Sequence, residues 1–83
     1  MIGKVVCSKR GRDKGSFMVV VGEERGMLLV CNGKERPLER PKAKNLKHLS
    51  LTNSSLDNEQ FSSNRALRKA LKAFGETVSE MEE

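Results

Sequence analysis

Apolar positions along the chain follow two different rhythms. In the first half they form short runs rich in β-branched residues: Ile-Gly-Lys-Val-Val-Cys at 2–7, Phe-Met-Val-Val-Val at 17–21 and Met-Leu-Leu-Val-Cys at 27–31. Runs of this length and composition predict strands. Between the first two lies 8–16, with Gly11 and Gly15 among five charged residues, which predicts a loop. Gly-Glu-Glu-Arg-Gly at 22–26 predicts a turn. Asn32-Gly33 supplies two residues that tolerate positive φ, as a type I′ hairpin requires. A fourth strand is therefore expected from Lys34 to about Leu38. Pro37 has no backbone donor and places that strand at an edge. Beyond Pro41, residues 45–49 are expected to form a short closing strand.

The second half changes register. Residues 50–60 are polar and turn-rich, as linkers are. Leu67, Ala70, Leu71 and Phe74 then recur at helical spacing, predicting an amphipathic helix from Ser63 to about Phe74. Ser62 or Ser63 can cap its start and Gly75 suits its end. The expected organisation is a small barrel over 1–50, a linker over 51–62, a helix over 63–75 and an acidic, frayed tail over 76–83. Four or five short, closely connected strands suit a mainly β fold: an SH3-like barrel, whose closure removes exposed edges, followed by the helix.

Charge sharpens the picture. Residues 1–48 hold 12 Lys and Arg against five acids, whereas 49–83 hold four against six. A cationic folded half points to a polyanion, most commonly a phosphate backbone; the competing reading is charge for solubility. Three Phe and no Tyr or Trp argue against an aromatic-lined small-molecule pocket. They also argue against single-strand readers that stack bases on exposed aromatics. No apolar run approaches the ~20 residues that span a bilayer, so a soluble, cytoplasmic chain without membrane partners is expected.

Candidate chemistry is sparse. Cys7 and Cys31 form no Cys-x-x-Cys pair, and the single His48 completes no ligand set, so neither zinc nor any other metal or cofactor is expected. Both thiols are read as reduced and core-facing. Asp13 and Glu39 lie among basic residues, and no nucleophile has a base at motif spacing. Gly11-Arg-Asp-Lys-Gly15 has the composition of a phosphate loop but not its Gly-x-x-x-x-Gly-Lys-Ser/Thr order, and a strand follows it. An enzyme is not expected.

That same segment carries a resemblance. Gly3-x-Val5, leading through Ser8 and Gly11-Arg-Asp-Lys-Gly15 to Phe17-x-Val19, resembles the KOW motif, a strand, glycine-bearing turn and strand found in ribosomal proteins and transcription-elongation factors. Arg36-Pro-Leu-Glu-Arg-Pro-Lys-Ala-Lys-Asn-Leu-Lys-His-Leu49 resembles the basic stretch of stand-alone bacterial KOW-domain proteins. Those are similar to large-subunit ribosomal proteins of the archaeal and eukaryotic type. The resemblance covers about 50 residues and implies an SH3-like barrel, no catalytic residues, and ribosomal RNA as partner, with ribosomal subunit proteins as neighbours.

Phosphate-contact candidates fall in two groups. Lys9, Arg10, Arg12 and Lys14 flank the glycine turn, and Arg36, Arg40, Lys42, Lys44, Lys47 and His48 form a basic strip. Gly11, Gly15, Asn32 and Gly33 are assigned structural roles in turns. Asp13 is assigned one too, as an acceptor for turn amides. Two rival functions stay open at this point: a transcription-elongation accessory, and a protein-interaction module of the SH3-like kind.

Overall fold

The computed structural model describes the backbone of residues 1–81 and the side chains of residues 1–76. Five strands, β1 (Lys4–Ser8), β2 (Phe17–Glu24), β3 (Met27–Cys31), β4 (Lys42–Lys44) and β5 (Leu49–Ser55), form one sheet. All its pairings are antiparallel, and the order is β4-β3-β2-β1-β5. A 3₁₀ turn at Leu46–His48 joins the two outermost strands. A second, Asn58–Phe61, precedes the helix α1 (Asn64–Met81).

Alternation along the strands gives the sheet two apolar faces. Val6, Met18, Val20, Leu28, Val30 and Leu49 pack together on one. Val5, Val19 and Cys31 lie on the other, under Leu67 and Leu71 of α1. This is the period-2 pattern of a sheet covered on both sides. Two irregularities bend it. The β2–β3 register shifts between Val20 and Gly22, and the β1–β5 register shifts between Lys4 and Val6. Such bulges strengthen local twist. At the second, Thr52 Oγ1 donates to Val5 O at 2.7 Å, satisfying a carbonyl in the irregular stretch. Phe17 and Phe74 meet edge to face at 4.9 Å, tying the start of β2 to the helix.

Several sequence expectations change here. The type I′ turn is not at Asn32-Gly33. It is at Arg25-Gly26, whose φ values of 50° and 78° are both positive and whose neighbours Glu24 and Met27 pair directly. Asn32 instead folds 32–36 into a side-chain-capped loop: its Oδ1 accepts from Lys34 N at 2.9 Å and Arg36 N at 3.0 Å. No strand forms over 34–38. The strand that pairs with β3 is β4, beyond both prolines, with Leu28 opposite Lys44.

Residues 50–60, expected to be a linker, hold most of β5 and a 3₁₀ turn. The closing strand begins at Leu49 rather than ending there. Polar Ser and Asn dominate β5 because alternate positions face outward, so composition concealed it. The helix starts as expected, with Ala66 N donating to Ser63 Oγ at 3.1 Å. It does not stop at Gly75. That residue lies against the Phe17 ring, about 3.9 Å from a hypothetical Cβ, and the helix runs on to Met81. Of the tail expected over 76–83, residues 82–83 lie outside the described residues.

The start of α1 is anchored on the loop before β4. Asn64 Oδ1 accepts from Leu38 N at 2.8 Å while its amide donates to the Glu39 carboxylate. Arg68 donates to Gly33 O at 2.8 Å. Gly33 has φ of 80°, and a Cβ there would sit 2.5 Å from Asn64 O. Glycine is required both by conformation and by this approach.

Candidate nucleic-acid interface

The glycine turn between β1 and β2 is built on its backbone. Gly11 and Gly15 have φ of 88° and 87°. Lys14 N donates to Gly11 O, Ser16 N to Asp13 O, and Gly15 N to Ser8 O. Both glycines play the turn role assigned to them.

Beneath the turn lies a buried cation. Ser8 continues the inward-facing side of β1 and is 2% exposed; Lys44 ends β4 and is 6% exposed. The Lys44 ammonium donates to Ser8 Oγ at 2.7 Å, Arg10 O at 2.8 Å and Asp13 Oδ1 at 2.7 Å. Those are all three of its donors. Ser8 Oγ also bonds Asp13 Oδ1, at 2.9 Å. Burial pushes the Asp13 carboxyl up, but the Lys44 and Ser8 hydrogen bonds and the Lys44 charge outweigh it and hold it below its ordinary value. Asp13 Oδ2 is buried without a partner, so the site depends on Lys44 alone for charge compensation.

This arrangement corrects one expected contact. Lys44 is not a phosphate-contact residue: its charge is spent inside the protein, bracing the turn against β4. Asp13 is held inside the protein by Lys44 and Ser8, and its own backbone amide, one of the turn amides, adds to the lowering of its carboxyl.

The remaining basic residues separate into clusters. Lys9 N donates to His48 O at 2.8 Å, which fastens the loop after β1 to the 3₁₀ turn before β5. Asn45 caps that turn, its Oδ1 accepting from Lys47 N at 3.1 Å. A groove of about 420 Å³ results, lined by Arg10, Gly11, Met27, Lys42, Ala43, Asn45, Lys47 and His48, with Lys44 at its base. Local desolvation, then the charges of Arg10, Lys47, Lys44 and Lys9, hold the His48 imidazole below its ordinary value.

Arg12 and Arg36 come together elsewhere, around a cavity of about 230 Å³ that also includes Asp13, Ser16, Asn32 and Glu35. Its carboxylates make it electrostatically mixed. Lys14 and Arg40 are exposed and line neither recess. Among the described residues the one ion pair is Lys44–Asp13. The groove cations thus have no carboxylate of the described residues within ion-pair distance.

Sequence reasoning missed Met27, Ala43 and Asn45 in the groove. Met27 and Ala43 enter through the pairing of β3 with β4, which no local signal announced. Another cavity, of about 530 Å³ between β5 and α1, is lined by residues such as Phe17, Thr52, Leu56 and Phe74 and, among the described residues, by no charged side chain. Cys31 is buried, and burial followed by the Glu39 charge pushes its thiol up to about 11; burial also raises Cys7. No group of three metal-binding side chains occurs among the described residues. None of their helices is long and apolar enough to cross a membrane.

No protein-family model matches the chain, and no curated protein matches it.

Proposed function

We propose that this chain is a non-catalytic, cytoplasmic RNA-binding protein of the KOW type, its curled sheet an SH3-like barrel. Its proposed ligand is ribosomal RNA, on the ribosome or during its assembly. The observation that carries the reading is the groove: Arg10, Lys42 and Lys47 converge beside a glycine turn, and no carboxylate among the described residues pairs with them. Cations gathered in one groove with no ion-pair partner among the described residues create a site that gains by taking up a polyanion. Rigid exposed backbone at Gly11 lets a phosphate approach closely, and the Lys44 strut keeps the turn in place. Arg12 and Arg36, beside a separate mixed cavity, and the exposed Lys14 and Arg40 are secondary candidates for phosphate contact.

Binding of this kind is driven by counterion release. With about five phosphates neutralised, log K falls against log salt with a slope of about −3.5 to −4.5. Fluorescence polarisation on structured ribosomal RNA fragments measures it, and a flat response would overturn the proposal. Co-sedimentation with ribosomal subunits, set against co-purification with RNA polymerase, separates the ribosomal role from a transcription-elongation one.

A further inference from the structure

Resting on the reading of RNA as ligand, we propose that the groove seats one unstacked nucleotide of it, bulged or looped out of a helix. Its phosphate lies against Arg10, Lys42 and Lys47, and its base against Met27, Ala43 and the His48 ring.

A protein that only follows a phosphate backbone needs a ridge or stripe of cations. Here the cations rim a shallow, open groove of about 420 Å³ rather than a ridge. Part of its lining is apolar: Met27 is half-buried and Ala43 exposed beside it. A phosphate has no use for that surface, whereas the flat face of a base does.

His48 completes the seat. It lines the groove together with Arg10, Lys47 and Lys44, so its ring presents an aromatic face amid positive charge. The other aromatic side chains, Phe17, Phe61 and Phe74, pack against the core under α1, which leaves His48 as the ring available for stacking. Asn45 contributes its amide: its Oδ1 is engaged by Lys47 N, and its Nδ2 makes no hydrogen bond to the described residues and can donate to an acceptor on a base edge. The walls are fixed by the Lys9–His48 backbone bond and the Lys44 strut, so the seat exists before the ligand arrives. An uninterrupted A-form stem offers no base face to such a recess. The substrate class is therefore structured RNA with an extruded nucleotide.

Two RNA hairpins test this, identical except that a single bulged position carries adenine in one and an abasic ribose in the other. Their phosphates are equal in number, so any difference in affinity belongs to the base. The full chain is expected to bind the adenine hairpin about tenfold more tightly. His48→Ala and Met27→Ala should bind both hairpins at the abasic level. Ala43→Gln, at an exposed position on the groove wall, should do the same without touching the core. Circular dichroism confirms that each variant is folded. Equal affinity of the wild-type chain for the two hairpins overturns the inference, as does a preference that survives in all three variants. The RNA reading fails separately, if neither hairpin nor any ribosomal RNA fragment binds in a salt-dependent way.

Discussion

Replacing Lys44 by Met keeps an unbranched side chain one atom shorter and removes the charge. The ammonium now contacts Ser8 Oγ, Arg10 O and Asp13 Oδ1 at 2.7–2.8 Å. Without it, the Asp13 carboxylate, 14% exposed at its side chain, keeps the Ser8 hydroxyl and its own backbone amide as donors but has no counter-charge. Removing one partner of a buried pair costs about 3–5 kcal/mol. Asp13 keeps some solvent, so the lower end applies, about 3 kcal/mol. For a domain of this size that lowers Tm by roughly 12–24 °C, readable by thermal or urea melts followed by circular dichroism.

The sign of the pH dependence follows from the same pair. In the wild-type chain the Asp13 pKa is lowered, so its stabilisation is present above the ordinary Asp value. It is lost as pH falls through the lower folded value. In Lys44→Met the carboxyl, buried without a cation, is raised instead, and protonating it removes the penalty. The stability gap should thus be wide at pH 7 and narrow at pH 4.5. Lys44→Met combined with Asp13→Leu should recover more than half of the loss, because no uncompensated charge remains. A loss below about 1 kcal/mol at pH 7, or a gap that does not change with pH, would refute the strut.

Gly33→Ala forces a Cβ to 2.5 Å from Asn64 O at φ of 80°, whereas Gly15→Ala meets nothing within 4 Å at φ of 87°. The first should cost at least about 2 kcal/mol and the second about 1, the conformational part alone, and urea melts of the two would rank them. Cys31, fully buried with its thiol raised to about 11, should resist alkylation by iodoacetamide at pH 8 until the chain is unfolded, as mass spectrometry of the labelled protein will show. A phosphate beside His48 should raise its lowered pKa, so RNA binding takes up a proton. Affinity should then rise as pH falls from 7.5 toward 5.5 in the wild-type chain, and that rise should be absent from His48→Gln.

The strands β1, β2 and β3 were legible because each is a local run of β-branched or aliphatic residues whose packing demands are written in its own composition. The turn glycines were legible for a similar reason, since Gly11 and Gly15 sit between two such runs. β5 was hidden by its outward-facing Ser and Asn residues, and its partner β1 lies more than 40 residues away. Asn32-Gly33 misled because Asn has two uses: tolerating positive φ, and capping a loop with its side chain. The second prevailed, since Gly33 had to make room for Asn64 and Arg68.

At the candidate site the charges were visible but their division was not. Lys42 and Lys44 look alike in sequence. Only the register that sets Lys44 opposite Leu28 sends it beneath the turn toward Ser8 and Asp13, while Lys42 reaches the groove. The separation of Arg12 and Arg36 from Arg10 and Lys47 has the same origin, in contacts between distant segments.

The central claim is that RNA binds the groove rather than the helix, which has basic residues of its own. The affinity of full-length charge-reversal variants for purified ribosomal subunits, measured by co-sedimentation at fixed salt, tests this most directly. Arg10→Glu with Lys47→Glu reverses two groove cations. Arg65→Glu with Lys69→Glu makes the same change in net charge on exposed positions of α1. The groove pair should lose at least tenfold, about 1.4 kcal/mol, and the helix pair distinctly less, with both proteins folded. A helix pair that abolishes binding beside a groove pair that binds like the wild-type chain would contradict the account and move the recognition surface to α1.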